Sequence, residues 1–102
     1  MNSKSDIPID ILVVDDSDET VELIKRNLQP EGYQVYTANS VQSAIKLLGS
    51  VNVDLLITDL KMPGENGIEL VRHVSENHKG IGILVITGFP SIESAVESIR
   101  IG

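Results

Sequence analysis

Four short apolar runs, at 11–14 (ILVV), 33–38 (YQVYTA), 55–58 (LLIT) and 81–87 (IGILVIT), recur along the chain. Between them, apolar residues return every three or four positions. Val, Ile and Thr dominate the runs, as they do in strands, and runs this short and this apolar suit strands covered on both faces. The stretches between read as helices. The first starts at Ser17 or Asp18, either of which can cap it, buries Val21, Ile24 and Leu28, and stops at Pro30. The second covers 40–48, with Ala44, Ile45 and Leu48 inward and Gly49 placed to end it in a left-handed turn. The third covers 68–76, with Val71 and Val74 inward. A fourth starts at Ser91, its cap, and carries Ile92, Ala95, Val96 and Ile99 as one stripe.

Strand and helix alternating in this way predict an α/β fold, a parallel sheet wrapped by helices. Right-handed crossovers then bring the carboxyl end of every strand to one edge, where open α/β sheets bind ligands. The chemistry-bearing residues fall at that edge: Asp15 and Asp16 just past the first run, Asp59 just past the third, and Thr87 at the end of the fourth. Alone, Asp59 would read as a turn initiator and Thr87 as an ordinary β-branched strand residue. Their common placement calls for one explanation.

Length and composition narrow it. A chain of 102 residues argues for one domain, and with 41% apolar but 3% aromatic residues its core must be built from Val, Ile and Leu. The absence of cysteine excludes disulfides and thiolate metal sites and agrees with a reducing compartment. MNSKSDIPID lacks the apolar core of a signal peptide, and no run approaches the roughly 18 residues of a membrane span. The expectation is a soluble, cytoplasmic protein without a membrane partner, with residues 1–9 a polar leader and 10–102 the domain. Fifteen acids against eight bases give a formal charge of −7, which repels nucleic-acid phosphates and favours cations or a basic partner surface.

Two carboxylates about 5 Å apart at an effective dielectric near 20 repel by roughly 3 kcal/mol. Three such pairs would cost an upper figure of about 10 kcal/mol, against a total domain stability of about 5–15 kcal/mol. The site therefore needs a shared proton or a hard divalent cation. With no His or Cys at these strand ends, the all-oxygen donor set suits Mg²⁺, Mn²⁺ or Ca²⁺ rather than zinc. Mg²⁺ bound by one or two carboxylates commonly takes phosphate oxygens as well, so phosphoryl chemistry is its natural use. A carboxylate can itself be the nucleophile, giving an aspartyl phosphate, and the Thr87 hydroxyl can donate to a phosphoryl oxygen.

The paired acids after the first run, the Asp followed by LKMPGENG after the third, and VITGF closing the fourth resemble the receiver domain of two-component response regulators, from Ile11 to Gly102. The resemblance implies a flavodoxin-like sheet and a phosphoacceptor switch rather than an enzyme, with Asp59 taking a phosphoryl group from a sensor histidine kinase. It implies Mg²⁺ as cofactor, ligated by Asp16, Asp59 and the backbone carbonyl of Lys61, with Asp15 helping through water. Thr87 would bond the phosphoryl group and Gly88 keep the approach open. Phe89, with Lys61, would flank the path of water to the phosphoryl group. Pro63 and Gly67 match the turn into the third helix. A surface around the fourth helix, with Glu93, Glu97 and Arg100 exposed, would be read by a partner.

The pattern departs at the C-terminus: the fifth βα unit is absent, with its aromatic switch residue and its lysine, and neither Lys61 nor Lys79 replaces that lysine. A sheet of order 2-1-3-4 is expected, its fourth strand an open edge that favours a homodimer through strand and helix four. The chain then reads as a fragment of a longer parent with an effector domain, and SIESAVESIRIG is similar to receivers of transcriptional activators. Two other readings compete. A Mg²⁺-dependent aspartyl-phosphate hydrolase would carry a general acid two residues after its nucleophile, where Lys61 follows Asp59 and Ser17 follows Asp15. An interaction module would keep the fold without turnover. His73 and His78, five apart, read as exposed helical positions and not as a metal pair, and MPGENG reads as a tight turn.

Overall fold

The computed structural model describes residues 9–59, 61–62 and 65–86, the two short pairs as backbone. Four parallel strands, β1 (Asp10–Val14), β2 (Gln34–Ala38), β3 (Leu55–Thr58) and β4 (Gly82–Val85), form a sheet of order β2-β1-β3-β4. This is the order the sequence predicts. Helices α1 (Asp18–Leu28), α2 (Val41–Leu48) and α3 (Gly67–Asn77) connect them. The expected fourth helix lies outside the described residues.

Strand periodicity divides the core in two. Leu12, Val14 and Leu56 face α2 and α3, packing with Ala44, Leu48, Leu70 and Val74. Ile11, Val13 and Ile57 face the other way, onto Val21, Ile24 and Leu28 of α1. Both faces of β1 are therefore dry from Ile11 to Val14, which is why those four positions are apolar in succession instead of alternating.

Helix ends follow local chemistry. Ser17 Oγ accepts the Thr20 N–H at 3.2 Å and Ser40 Oγ accepts the Ser43 N–H at 3.1 Å, each filling an orphan donor of a first turn. Acids in the first turn of α1 and Lys25 and Arg26 in its last complement the helix dipole. Gln29–Glu31 adds a 3-10 turn, and Gly32 follows at φ 100°, where a side chain would be strained.

Three local expectations need correction. Gly49 is not left-handed: at φ −78° it stays right-handed, its N–H shared among carbonyls of the last turn, and the Ser50 and Val51 N–H groups both close onto Leu47 O. That tightened turn satisfies the helix end without a left-handed residue. In α2, Ile45 is half-buried against the cluster and Val41 joins the buried set. In α3 the inward residues are Leu70 and Val74, with Val71 half-buried.

The opposite end of the sheet is tied by reciprocal bonds. The Asp10 N–H donates to Asp54 Oδ2 at 2.8 Å, and the Asp54 N–H donates to the Asp10 carbonyl at 2.7 Å. Together they fix the β1–β3 register, Ile11 opposite Leu55 through Val14 opposite Thr58.

Candidate functional site

With Val14 opposite Thr58 in a parallel ladder, the next residue on each chain is an aspartate, Asp15 and Asp59. Both backbones are held at this edge: the Asp15 N–H donates to Ala38 O and the Asp59 N–H to Val14 O, each at 3.2 Å. Thr58, fully buried, donates its hydroxyl to the Asp59 carbonyl at 3.2 Å. Thr58 is not among the site residues expected from the sequence. Its signal was a hydroxyl inside an otherwise apolar run, one position before the acid.

Asp15 is buried, Asp16 exposed and Asp59 half-buried. Burial raises the Asp15 carboxyl above its ordinary value of 3.8. The Ser17 N–H, which donates to Asp15 Oδ1 at 2.9 Å, works against the shift, and a hydrogen bond with Asp16 and the charges of Asp59 and Asp16 add to it. The expected proximity of the three acids is thus felt at Asp15. Solvent at Asp16 and Asp59 keeps their repulsion well below the ~10 kcal/mol upper figure.

Among the described residues, no three His, Asp or Glu side chains are gathered so as to hold an ion by themselves. The donor chemistry still fits a hard cation. Mg²⁺ needs only one or two carboxylates and completes its shell with water and other oxygens. Lys61 opens a two-residue strand, Lys61–Met62, that pairs antiparallel with Glu65–Asn66 just before α3, and the tight turn expected between them lies outside the described residues. Beside the acids, at the end of β2, a cleft of about 260 Å³ is lined by Asp18, Thr37, Asn39 and Ser43 among others. Thr87, Gly88, Phe89, Glu93, Glu97 and Arg100 lie outside the described residues.

The sequence profile of the response regulator receiver domain matches residues 11–102. The chain belongs to that family. Among curated relatives of this receiver domain, the transcriptional regulatory protein MalR of Bacillus subtilis is 34% identical, over 92% of this chain and 41% of its own length. Two solved structures share the fold. The response regulator TrrA of Thermotoga maritima, in complex with Mg²⁺ and BeF, has a TM-score of 0.74 at 37% identity, covering 89% of this chain and 79% of that one. The chemotaxis response regulator CheY4 of Vibrio cholerae has a TM-score of 0.74 at 30% identity, covering 94% and 82%. The chain spans 41% of the length of MalR and 20% of that of the regulatory protein AtoC of Escherichia coli, another curated relative. Its sheet is of the flavodoxin-like type. No helix among the described residues is long and apolar enough to cross a membrane.

Proposed function

We propose that this receiver domain takes a phosphoryl group on Asp59 from the phosphohistidine of a sensor histidine kinase. An Asp59 carboxylate oxygen attacks phosphorus. The new O–P bond forms as the P–N bond breaks, and the electron pair leaves on the imidazole nitrogen, which takes up a proton. The observation that carries this reading is the β1–β3 register, which sets Asp59 beside the buried Asp15 at the ligand-binding edge of the sheet.

Asp16, Asp59 and the Lys61 carbonyl would hold Mg²⁺, with Asp15 contributing through a water. When bound, the ion offsets the carboxylate charge and that of the incoming phosphoryl oxygens. Burial of Asp15 and the capped start of α1 hold the acid pair in place without the ion. The Thr87 hydroxyl would donate to a phosphoryl oxygen. About 1.5 to 2 units of added negative charge would then bias Gly88, Phe89 and the surface carrying Glu93, Glu97 and Arg100. The relatives named as transcriptional regulators, of which this chain covers less than half, support a longer parent; that parent would be cytoplasmic, with an effector domain that reads that surface.

Intact-mass spectrometry after acetyl phosphate and Mg²⁺ tests the proposal. A stable phosphoryl adduct that Asp59→Asn abolishes is expected. Absence of an adduct would favour an interaction module, and release of phosphate as fast as it is taken up would favour a hydrolase.

A further inference from the structure

At the amino-terminal edge of the sheet, across the molecule from the acids, α3 ends at Asn77 and the chain turns through residues 78–81 into β4. The Ile81 N–H donates to the His78 carbonyl at 3.1 Å, closing that turn. His78 lies against the helix it has just left: the ring centres of His73 and His78 are 5.5 Å apart, with the planes tilted by 51°. Both residues are half-buried. A continuous helix would set residues five apart about 140° around its axis, which is why the spacing argued against a pair. His78 caps α3 just past Asn77, its N–H still donating to the Val74 carbonyl at 2.8 Å, and from that last position its ring reaches back to His73.

The separation fits a shared ion. With metal–nitrogen bonds of about 2.0–2.1 Å and a roughly tetrahedral angle, two imidazoles on one ion have ring centres about 5 Å apart. We propose that His73 and His78 form a second metal site, for a divalent transition ion of the zinc type, distinct from the acidic edge. Imidazole nitrogen favours zinc, copper and nickel, whereas an all-oxygen site suits magnesium, so the two poles of the sheet would sort ions by ligand softness. His78 also borders a cleft of about 320 Å³, lined with Asn52, Asp54 and Lys79 among others, on its own side of the pair. No third His, Asp or Glu joins the pair among the described residues, so water completes the shell.

Asn77 sets the proton arrangement. Its Nδ2 donates to the His73 carbonyl at 3.0 Å and lies 3.3 Å from His73 Nδ1. With the Asn77 amide nitrogen facing it, Nδ1 can enter this contact only as the acceptor, in the tautomer that carries its proton on Nε2. Ion uptake at Nε2 shifts that proton to Nδ1, where an acceptor would serve better than a donor. A carboxylate at position 77 supplies one.

The test is a zinc titration of the chain in excess Mg²⁺, followed by NMR of the imidazole resonances. The chain has two histidines, both in the pair, so the signals report on this site directly. Both rings are expected to respond with one midpoint. His73→Gln and His78→Gln should each raise that midpoint tenfold or more, and Asn77→Asp should lower it severalfold, with far-UV circular dichroism unchanged. A response from one ring alone, no response at about 1 mM zinc, or a midpoint indifferent to these substitutions overturns the proposal.

Discussion

At the scale of the residue, the acidic edge is asymmetric. Asp15 and Asp16 are neighbours in sequence, yet one is buried and the other exposed. Burial first, then the Asp16 and Asp59 charges, make the fold hold Asp15's proton more tightly than the unfolded chain does. With the folded value raised, this group's stabilising contribution is complete below its ordinary value of 3.8 and is lost as pH rises through the raised value. Ionised Asp15 is thus a cost at neutral pH when no cation is present. Asp15→Asn, which keeps an acceptor oxygen for the Ser17 N–H, should raise the melting temperature of the metal-free domain at pH 7. The gain should shrink as pH falls toward 3.8, which thermal unfolding followed by circular dichroism at several pH values will show. Ser17→Ala removes the cap at Thr20 and should cost about 1 kcal/mol in urea unfolding, with Asp18 and Glu19 left to favour the helix start. The sequence placed all three acids at strand ends. It could not say which of two adjacent carboxylates turns inward, because successive residues leaving a strand point to opposite faces and only the packing of α1 decides between them.

At the scale of the element, legibility followed the clarity of the period. In α1, Val21, Ile24 and Leu28 recur at i, i+3 and i+7 with Leu23 as the one apolar residue off that stripe, so the inward face is the one observed and Leu23 is left exposed. In α3, Leu70, Val71 and Val74 allow two stripes a residue apart. The angle at which the helix meets the sheet selects Leu70 with Val74, and no local pattern encodes that angle. Leu70, fully buried against Leu12, Val14 and Leu56, should be among the most sensitive positions. Leu70→Ala is expected to cost about 2–5 kcal/mol in chemical denaturation, whereas Val71→Ala should cost well under half of that. The end of α2 departs from expectation for a different reason: glycine permits a left-handed cap but does not require one, and the Ser50 and Val51 N–H groups satisfy the Leu47 carbonyl.

At the scale of the whole molecule, strand order does what no single element can. Placing β1 next to β3 makes neighbours of residues 44 positions apart, so charges that are remote along the chain become a common electrostatic problem at one edge. A divalent cation that offsets those charges would bind the folded chain and not the unfolded one, and would then stabilise by mass action. Added Mg²⁺ is expected to raise the melting temperature in a concentration-dependent way, and Asp16→Ala to abolish most of that rise while leaving the metal-free fold intact. Differential scanning fluorimetry across a magnesium series checks both.

The reciprocal bonds between Asp10 and Asp54 reach further than their position suggests. Side chains alternate faces along a strand, so a slip of β1 against β3 by one residue would exchange inside for outside all along the ladder and carry Asp15 past Asp59. Such a slip has to break both bonds at the remote end before it gains anything elsewhere. Alignment of the two carboxylates is therefore guarded from the far side of the sheet, by a pair of residues that never meets the chemistry.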